Sequence, residues 1–152
     1  MRLSIVMPMY NVEKYIDKCI QSCIQQPPFQ LSKDYEIVCV DDGSPDNSGT
    51  IADGYSLNNP GLRVVIQDNQ GLSEARNTGL SHAKGDYVWF VDSDDWIEPD
   101  ALKNIFPYLK DGLDLLEIQY QNVYEDGRVE NGDSGCGIYS QSLKIPLCCC
   151  QS

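Results

Sequence analysis

Positive charge is scarce in this sequence. There are 11 Lys and Arg against 23 Asp and Glu, a formal net charge of −12. That deficit argues against the phosphate backbone of nucleic acid and an anionic membrane surface as partners recruited by charge. It still allows one small anion held through a metal. Histidine is almost lacking: His82 is the only one. It falls in a predicted helix with no base–orienter pair near it, so the GDSG at 132–135 reads as a turn and not as a serine nucleophile loop. No GxSxG elbow occurs. No run approaches the roughly 20 apolar residues of a spanning helix. The opening MRLSIVMPMYNVEKY is interrupted by Asn11 and Glu13 too early for a signal peptide. The expected location is cytoplasmic. A GxxxxGK[ST] loop is missing, which excludes a P-loop protein. No GxGxxG follows the first apolar run, which argues against a dinucleotide-binding Rossmann domain.

Cysteine is present but follows no disulfide pattern. The seven are Cys19, Cys23, Cys39, Cys136, Cys148, Cys149 and Cys150. An odd count with three in a row is no framework. Cys19 and Cys23 share a helix face without a nearby His, a poor zinc site. They read as small buried hydrophobes in a reducing compartment. The run at 148–150 has no evident structural logic.

The 152 residues are 41% apolar, enough for one domain with a real core, which at this size buries about 68–70% of the unfolded surface. Residues 3–7 (LSIVM) form a first apolar run ended by Pro8. Val12, Ile16, Cys19, Ile20, Cys23 and Ile24 recur at helical spacing over 12–25. Residues 36–40 (EIVCV) are a continuous β-branched run, as in strands covered on both faces. A second helix starts near Asn47 or Ser48. LRVVI at 62–66 is the third strand. Ser73 can cap a helix over about 74–83, and YVWFV at 87–91 is the fourth strand. A helix after Pro99 carries Leu102, Ile105, Phe106 and Leu109. Over 113–124, Leu116, Ile118 and Tyr120 alternate with Glu117, Gln119 and Gln121, the pattern of a fifth strand with one wet face. Beyond residue 125 the pattern fades. The order βαβαβαβαβ predicts an α/β fold with a doubly wound, mostly parallel sheet and helices on both faces.

Parallel strands present their C-terminal ends at one edge, where such folds bind ligands. Asp41 and Asp42 follow the second strand, Asp68 and Asn69 the third, and Asp92, Asp94 and Asp95 the fourth. Pro8, Tyr10 and Asn11 follow the first. A lone Asp in such a loop is ordinarily solvated charge, but six at corresponding strand ends repel one another and ask for a cation. The donors are hard oxygens, suited to Mg²⁺ or Mn²⁺. Such ions bind through one or two carboxylates and complete their shell with substrate phosphates. Arg76, in the first turn of the third helix, either adds a cation for that anion or pairs with Glu74 or Asp42.

Four blocks, SIVMPMYN, EIVCVDDGSPDNS, QDNQGLSEARNTGL and AKGDYVWFVDSDDWIEPDAL, resemble the inverting family 2 glycosyltransferases of GT-A fold. The resemblance covers about residues 1–125, and DSD at 92–94 is similar to the family's metal-binding DxD. It implies a GT-A nucleotide-sugar-binding domain over 1–125, truncated on its C-terminal side, with a partial or irregular segment over 126–152. It implies a glycosyltransferase that uses a UDP-sugar and Mn²⁺ or Mg²⁺, with a glycan or lipid-linked acceptor, in polysaccharide assembly at the inner face of the membrane. Pro8, Tyr10 and Asn11 would line the nucleobase and ribose pocket. Asp41 would accept a hydrogen bond from the base imide. Gly71 would allow close approach, Arg76 would hold the nucleotide, Asp92 would contact sugar hydroxyls, and Asp94 would ligate the metal.

The plainer readings are a rim aromatic for Tyr10, a loop cap for Asp92 and packing for Trp96. The family's catalytic base lies well downstream of the DxD; Asp126, Glu130 and Asp133 lack its context, so the base is expected beyond Ser152. The alternative is a catalytically inactive nucleotide-sugar-binding fragment. A nucleotidyltransferase would need a glycine-rich loop after strand one, and MPMYNVEK has none. The wet fifth strand could pair with a second copy of the chain, giving a homo-oligomer.

Overall fold

A computed structural model describes residues 1–109, 113–124, 126–131 and 146–151. Strands β1 (Leu3–Met9), β2 (Tyr35–Asp41), β3 (Leu62–Ile66) and β4 (Tyr87–Phe90) form one sheet in the order β3-β2-β1-β4. All three pairings are parallel, with Leu3 opposite Tyr35 on one side and Tyr87 on the other. Helices α1 (Ile16–Ile24), α2 (Ser48–Asn58) and α3 (Leu72–His82) connect the strands. The doubly wound expectation holds: the order reverses at β1, because the chain goes outward to β3 and returns through α3 to β4.

The side-chain alternation of the strands sorts the core into two layers. Leu3, Ile5, Met7 and Met9 face the same side as Tyr35, Ile37 and Cys39, where Ile16, Cys19, Ile20, Cys23 and Ala52 cover them. Val6, Val38 and Val40 face the opposite side and meet Ala75 of α3. With both faces covered, the central strands have no polar face, which is why they read as continuous apolar runs. Cys19, Cys23 and Cys39 are free, buried thiols, and burial pushes the Cys39 thiol well up.

Several boundaries differ from the sequence expectation. Helix α1 begins at Ile16, not near Val12, and the N–H groups of residues 11–13 go to side chains of Ser44, Ser48 and Asp46. Helix α3 begins at Leu72, with Gly71 at its N-cap position at φ 90°. Ser73 is therefore inside the helix and is not its cap, and Arg76 lies beyond the first turn. The helix after Pro99 is short: α4 (Ala101–Ile105) passes into a 3₁₀ turn at Phe106–Tyr108 containing Pro107. Its predicted apolar residues Leu102, Ile105, Phe106 and Leu109 are all buried.

The fifth strand is shorter than expected and joins a different sheet. Only Gln119–Val123 (β6) is extended, while Leu113, Leu116 and Ile118 pack against the main core. A second sheet has the order β5-β8-β6-β7, with β5 at Trp96–Ile97, β7 at Val129–Asn131 and β8 at Pro146–Gln151. Two strands thus lie in the segment expected to be irregular, and the run 148–150 belongs to one. The GDSG turn and Cys136 lie outside the described residues. Among the described residues, no helix is long and apolar enough to cross a membrane.

A polar cluster ties the return connection to the sheet. Glu36, buried on the α3 side, accepts from Ser4 Oγ at 2.6 Å and from Lys84 N–H at 2.6 Å, and pairs with Arg63 at 3.0 Å. Gly85 N–H donates to Ser4 Oγ at 2.8 Å. This close approach requires glycine, since a Cβ on Gly85 would lie 2.6 Å from the backbone of Leu3 and Ser4. Gly85→Ala is expected to destabilise the fold by about 1–3 kcal/mol through overpacking, read as a lower urea midpoint with unchanged slope.

Candidate functional site at the carboxyl edge of the sheet

A cavity of about 400 Å³ opens at the C-terminal ends of β1 and β4. This is the switch point where strand order reverses. Pro8, Met9 and Tyr10 form one wall, Asp92, Ser93 and Asp94 another, and Asp42, Asn69, Gly71, Leu72 and Ala75 the side toward α3. Of the residues singled out from sequence, Pro8, Tyr10, Gly71, Asp92 and Asp94 meet here. Asn11, Asp41 and Arg76 do not line the cavity, although Arg76 pairs with Asp92, which does.

The two adjacent aspartates part company because successive side chains of a strand point to opposite faces. Asp41 turns away from the cavity, accepts from Ser44 N–H at 2.9 Å, and packs so closely on α2 that a Cβ on Gly49 would collide with it. Asp42 turns toward α3 and the cavity. It accepts from Gln67 Nε2 at 2.7 Å, Gln70 N–H at 2.9 Å and Gly71 N–H at 2.8 Å. Burial alone would raise its carboxyl, but the bonds from Gln70, Gln67 and Gly71 outweigh it and hold the group below the ordinary range. Asp42 thus places a negative charge at the N-terminus of α3, the favourable end of the dipole. An ionised carboxylate has about four acceptor positions, and three of these are used.

Arg76 pairs with neither Glu74 nor Asp42. Its Nη2 lies 2.6 Å from Asp92 Oδ1, while its buried Nε makes no hydrogen bond. The pair is part-exposed and therefore exchangeable. Asp94 is exposed, and among the described residues no hydrogen bond or ion pair engages it. Trp96 lies outside this cavity beneath Lys18, whose Nζ is 3.0 Å from the ring centroid. Among the described residues, no three His, Cys, Asp or Glu could hold a metal by themselves. The donor set instead fits a hard ion that takes one or two carboxylates and fills its shell with phosphate and water.

A parallel sheet with an acidic cavity at its switch point defines a class of α/β ligand-binding proteins. Comparison with known proteins gives the family. The model for glycosyl transferase family 2 matches residues 4–136, and the chain belongs to that family. It is 39% identical over 141 residues to the uncharacterized glycosyltransferase EpsJ of Bacillus subtilis, covering 92% of this chain and 35% of that protein. It is 46% identical over 105 residues to the glycosyltransferase GlyA of Streptococcus pneumoniae, covering 69% of this chain and 14% of that one. The solved structure of S. aureus TarS 1-349 in complex with UDP-GlcNAc matches with a TM-score of 0.74 at 32% identity, over 92% of this chain and 37% of that one. The chain thus spans little more than a third of the length of these relatives at most.

Asp42→Ala would leave two backbone N–H groups without their acceptor, at an expected cost of about 1–3 kcal/mol. The lowered carboxyl fixes the sign with pH. Its contribution is complete above the ordinary aspartate range and is lost as pH falls through the lower folded value. The stability gap between wild type and Asp42→Ala, measured by urea unfolding, is therefore expected to narrow on acidification below about pH 4.

Proposed function

We propose that this chain binds a nucleoside diphosphate sugar, specifically a UDP-sugar, together with Mn²⁺ or Mg²⁺, for transfer of the sugar to an acceptor hydroxyl. The observation that carries this reading is the pairing of Asp92 and the unengaged Asp94 at the end of β4 with Pro8 and Tyr10 at the end of β1, across one cavity. The TarS complex with UDP-GlcNAc supports a uridine donor. Tyr10 and Pro8 supply the flat apolar wall that a base and ribose need. Asp42, not Asp41, takes the part of base acceptor, through its one remaining acceptor position. Gly71 forms floor without a side chain: its Cβ position has no atom within 4 Å.

Asp94, with Asp92 beside it, would hold the divalent ion. Bound there, the ion would stabilise the charge on the departing nucleoside diphosphate. Arg76 is the cation at hand for the same phosphates, since its pair with Asp92 is exposed enough to exchange. Acceptor selection and removal of the acceptor proton are functions of the whole protein. A glycan or lipid-linked acceptor agrees with the family.

Calorimetric titration of UDP, with and without Mn²⁺, tests the donor half. Wild type is expected to bind UDP more tightly with Mn²⁺. Asp94→Ala is expected to lose at least about tenfold in affinity, equivalent to roughly 1.4 kcal/mol, and to lose the metal dependence. Binding by wild type that is indifferent to Mn²⁺ and to Asp94→Ala would sink the assignment.

A further inference from the structure

Three consecutive backbone N–H groups follow Tyr10, and each donates to a side chain of the loop after β2 or of Ser48, the first residue of α2. Asn11 N–H reaches Ser44 Oγ at 3.3 Å, Val12 N–H reaches Ser48 Oγ at 3.0 Å, and Glu13 N–H reaches Asp46 Oδ2 at 2.9 Å. The loop is held in return. Asn47 donates through its N–H and its Nδ2 to the two carboxylate oxygens of Glu13, at 3.1 and 3.0 Å. Asp46 Oδ1 accepts from Ser48 N–H at 3.0 Å and Ser48 Oγ at 2.6 Å. The bonds to Asp46 come from both loops, so it is the hub of the clamp.

The chain needs such anchoring here. Asn11 has φ 56°, in the left-handed region that Asn tolerates better than most residues. Tyr10 is 51% exposed, and among the described residues no hydrogen bond holds its hydroxyl. Its position is therefore set by the backbone on either side: β1 before it and the three anchored amides after it. Free to move, a half-exposed ring would lose rotamer entropy on binding a ligand; held in place, it loses less.

We propose that Ser44, Asp46 and Ser48 are positioning residues for nucleotide binding: they fix the backbone of residues 11–13 so that the Tyr10 ring stays at the cavity wall. The inference rests on the nucleotide-site reading above. It separates the second sequence block into two parts. Asp41 and Asp42 organise the sheet edge, while Ser44, Asp46 and Ser48, spaced two apart, grip a different loop.

The test is a double-mutant cycle on UDP affinity, measured by calorimetry with Mn²⁺ present. Asp46→Ala is expected to weaken UDP about two- to tenfold, the worth of an ordinary hydrogen bond. In a Tyr10→Ala background the same change is expected to have no further effect, because the ring it positions is gone. Asp46→Asn keeps an acceptor for Glu13 N–H and is expected to restore most of the affinity. Ser44→Ala, a milder change at the loop surface, is expected to weaken UDP in the same direction. Equal losses in both backgrounds would overturn the proposal, since Asp46 would then act independently of Tyr10.

Amide hydrogen exchange without nucleotide reads the clamp itself. Exchange at residues 11–13 is expected to speed up in Asp46→Ala while the β1 amides stay protected. Unchanged exchange, with normal UDP binding by wild type, would overturn the clamp alone. Wild type that binds no UDP would overturn the nucleotide-site reading, and this proposal with it.

Discussion

The pairing of β1 with strands on both sides is the constraint on which the site depends. Parallel register with β2 and β4 places Pro8 opposite Val40 and leaves Tyr10 just beyond the sheet, while Val6 pairs with Phe90 and so brings residue 92 to the same edge. β4 neighbours β1 only because α3 carries the chain back across the sheet. That return requires the opposite face of the strands to be apolar as well, which Val6, Val38 and Val40 provide. It also requires close packing at its end, which Gly85 and Ser4 provide. Core composition and site position are therefore one design. A polar residue in place of Val38 or Val40 would unseat α3 and with it the wall made by Gly71, Leu72 and Ala75.

The second constraint is charge. Carboxylates crowd the sheet edge, and the structure neutralises them unequally. Asp41 is satisfied by a backbone N–H and close packing, and Asp42 by three donors. Asp92 is satisfied by an arginine with partial solvent access. Asp94 makes no hydrogen bond or ion pair among the described residues. Asp42, with three donors, is the most tightly held and shapes the side of the cavity toward α3. The loosely held ones are those a ligand could recruit. A deeply satisfied carboxylate costs too much to rearrange, whereas an exposed pair such as Arg76 and Asp92 exchanges partners for little.

Much of this was legible in the sequence because the two central strands are covered on both faces and the edge strands keep mostly apolar runs. LSIVM, EIVCV, LRVVI and YVWFV are apolar runs with polar brakes, and their order alone gives the doubly wound sheet. The glycosyltransferase family was legible for the same reason, since its four blocks sit at the strand ends. What escaped was set by geometry with no local signal. That Asp42 and not Asp41 lines the cavity depends on which face the cavity opens toward, and that is fixed by α3, about thirty residues away. The start of α3 was misplaced because Ser73 is a good cap by type, while the N-terminus is served instead by Asp42 from another strand. The apolar spacing extends back to Val12 although α1 begins only at Ile16, since side-chain period alone does not mark where helical backbone starts. The second sheet was missed because Trp96–Ile97 and Val129–Asn131 are too short to show a period of two.

The shortage of positive charge bears on how the proposed ligands must bind. A nucleoside diphosphate approaching this edge meets Asp42, Asp92 and Asp94, and Arg76 is already paired with Asp92. At a net charge of −12, long-range attraction for an anion is absent, and the same field favours a divalent cation. On the proposed reading the metal and the diphosphate are each other's missing partner: the ion supplies the charge that the arginine alone cannot, and the phosphates supply ligands that two aspartates cannot. Such coupling is reciprocal. Whatever factor Mn²⁺ adds to the affinity for UDP, UDP adds to the affinity for Mn²⁺. On the same reading a site with more lysines would bind the nucleotide without the metal and lose that dependence, and the acidic edge is what would make the two ligands arrive as one.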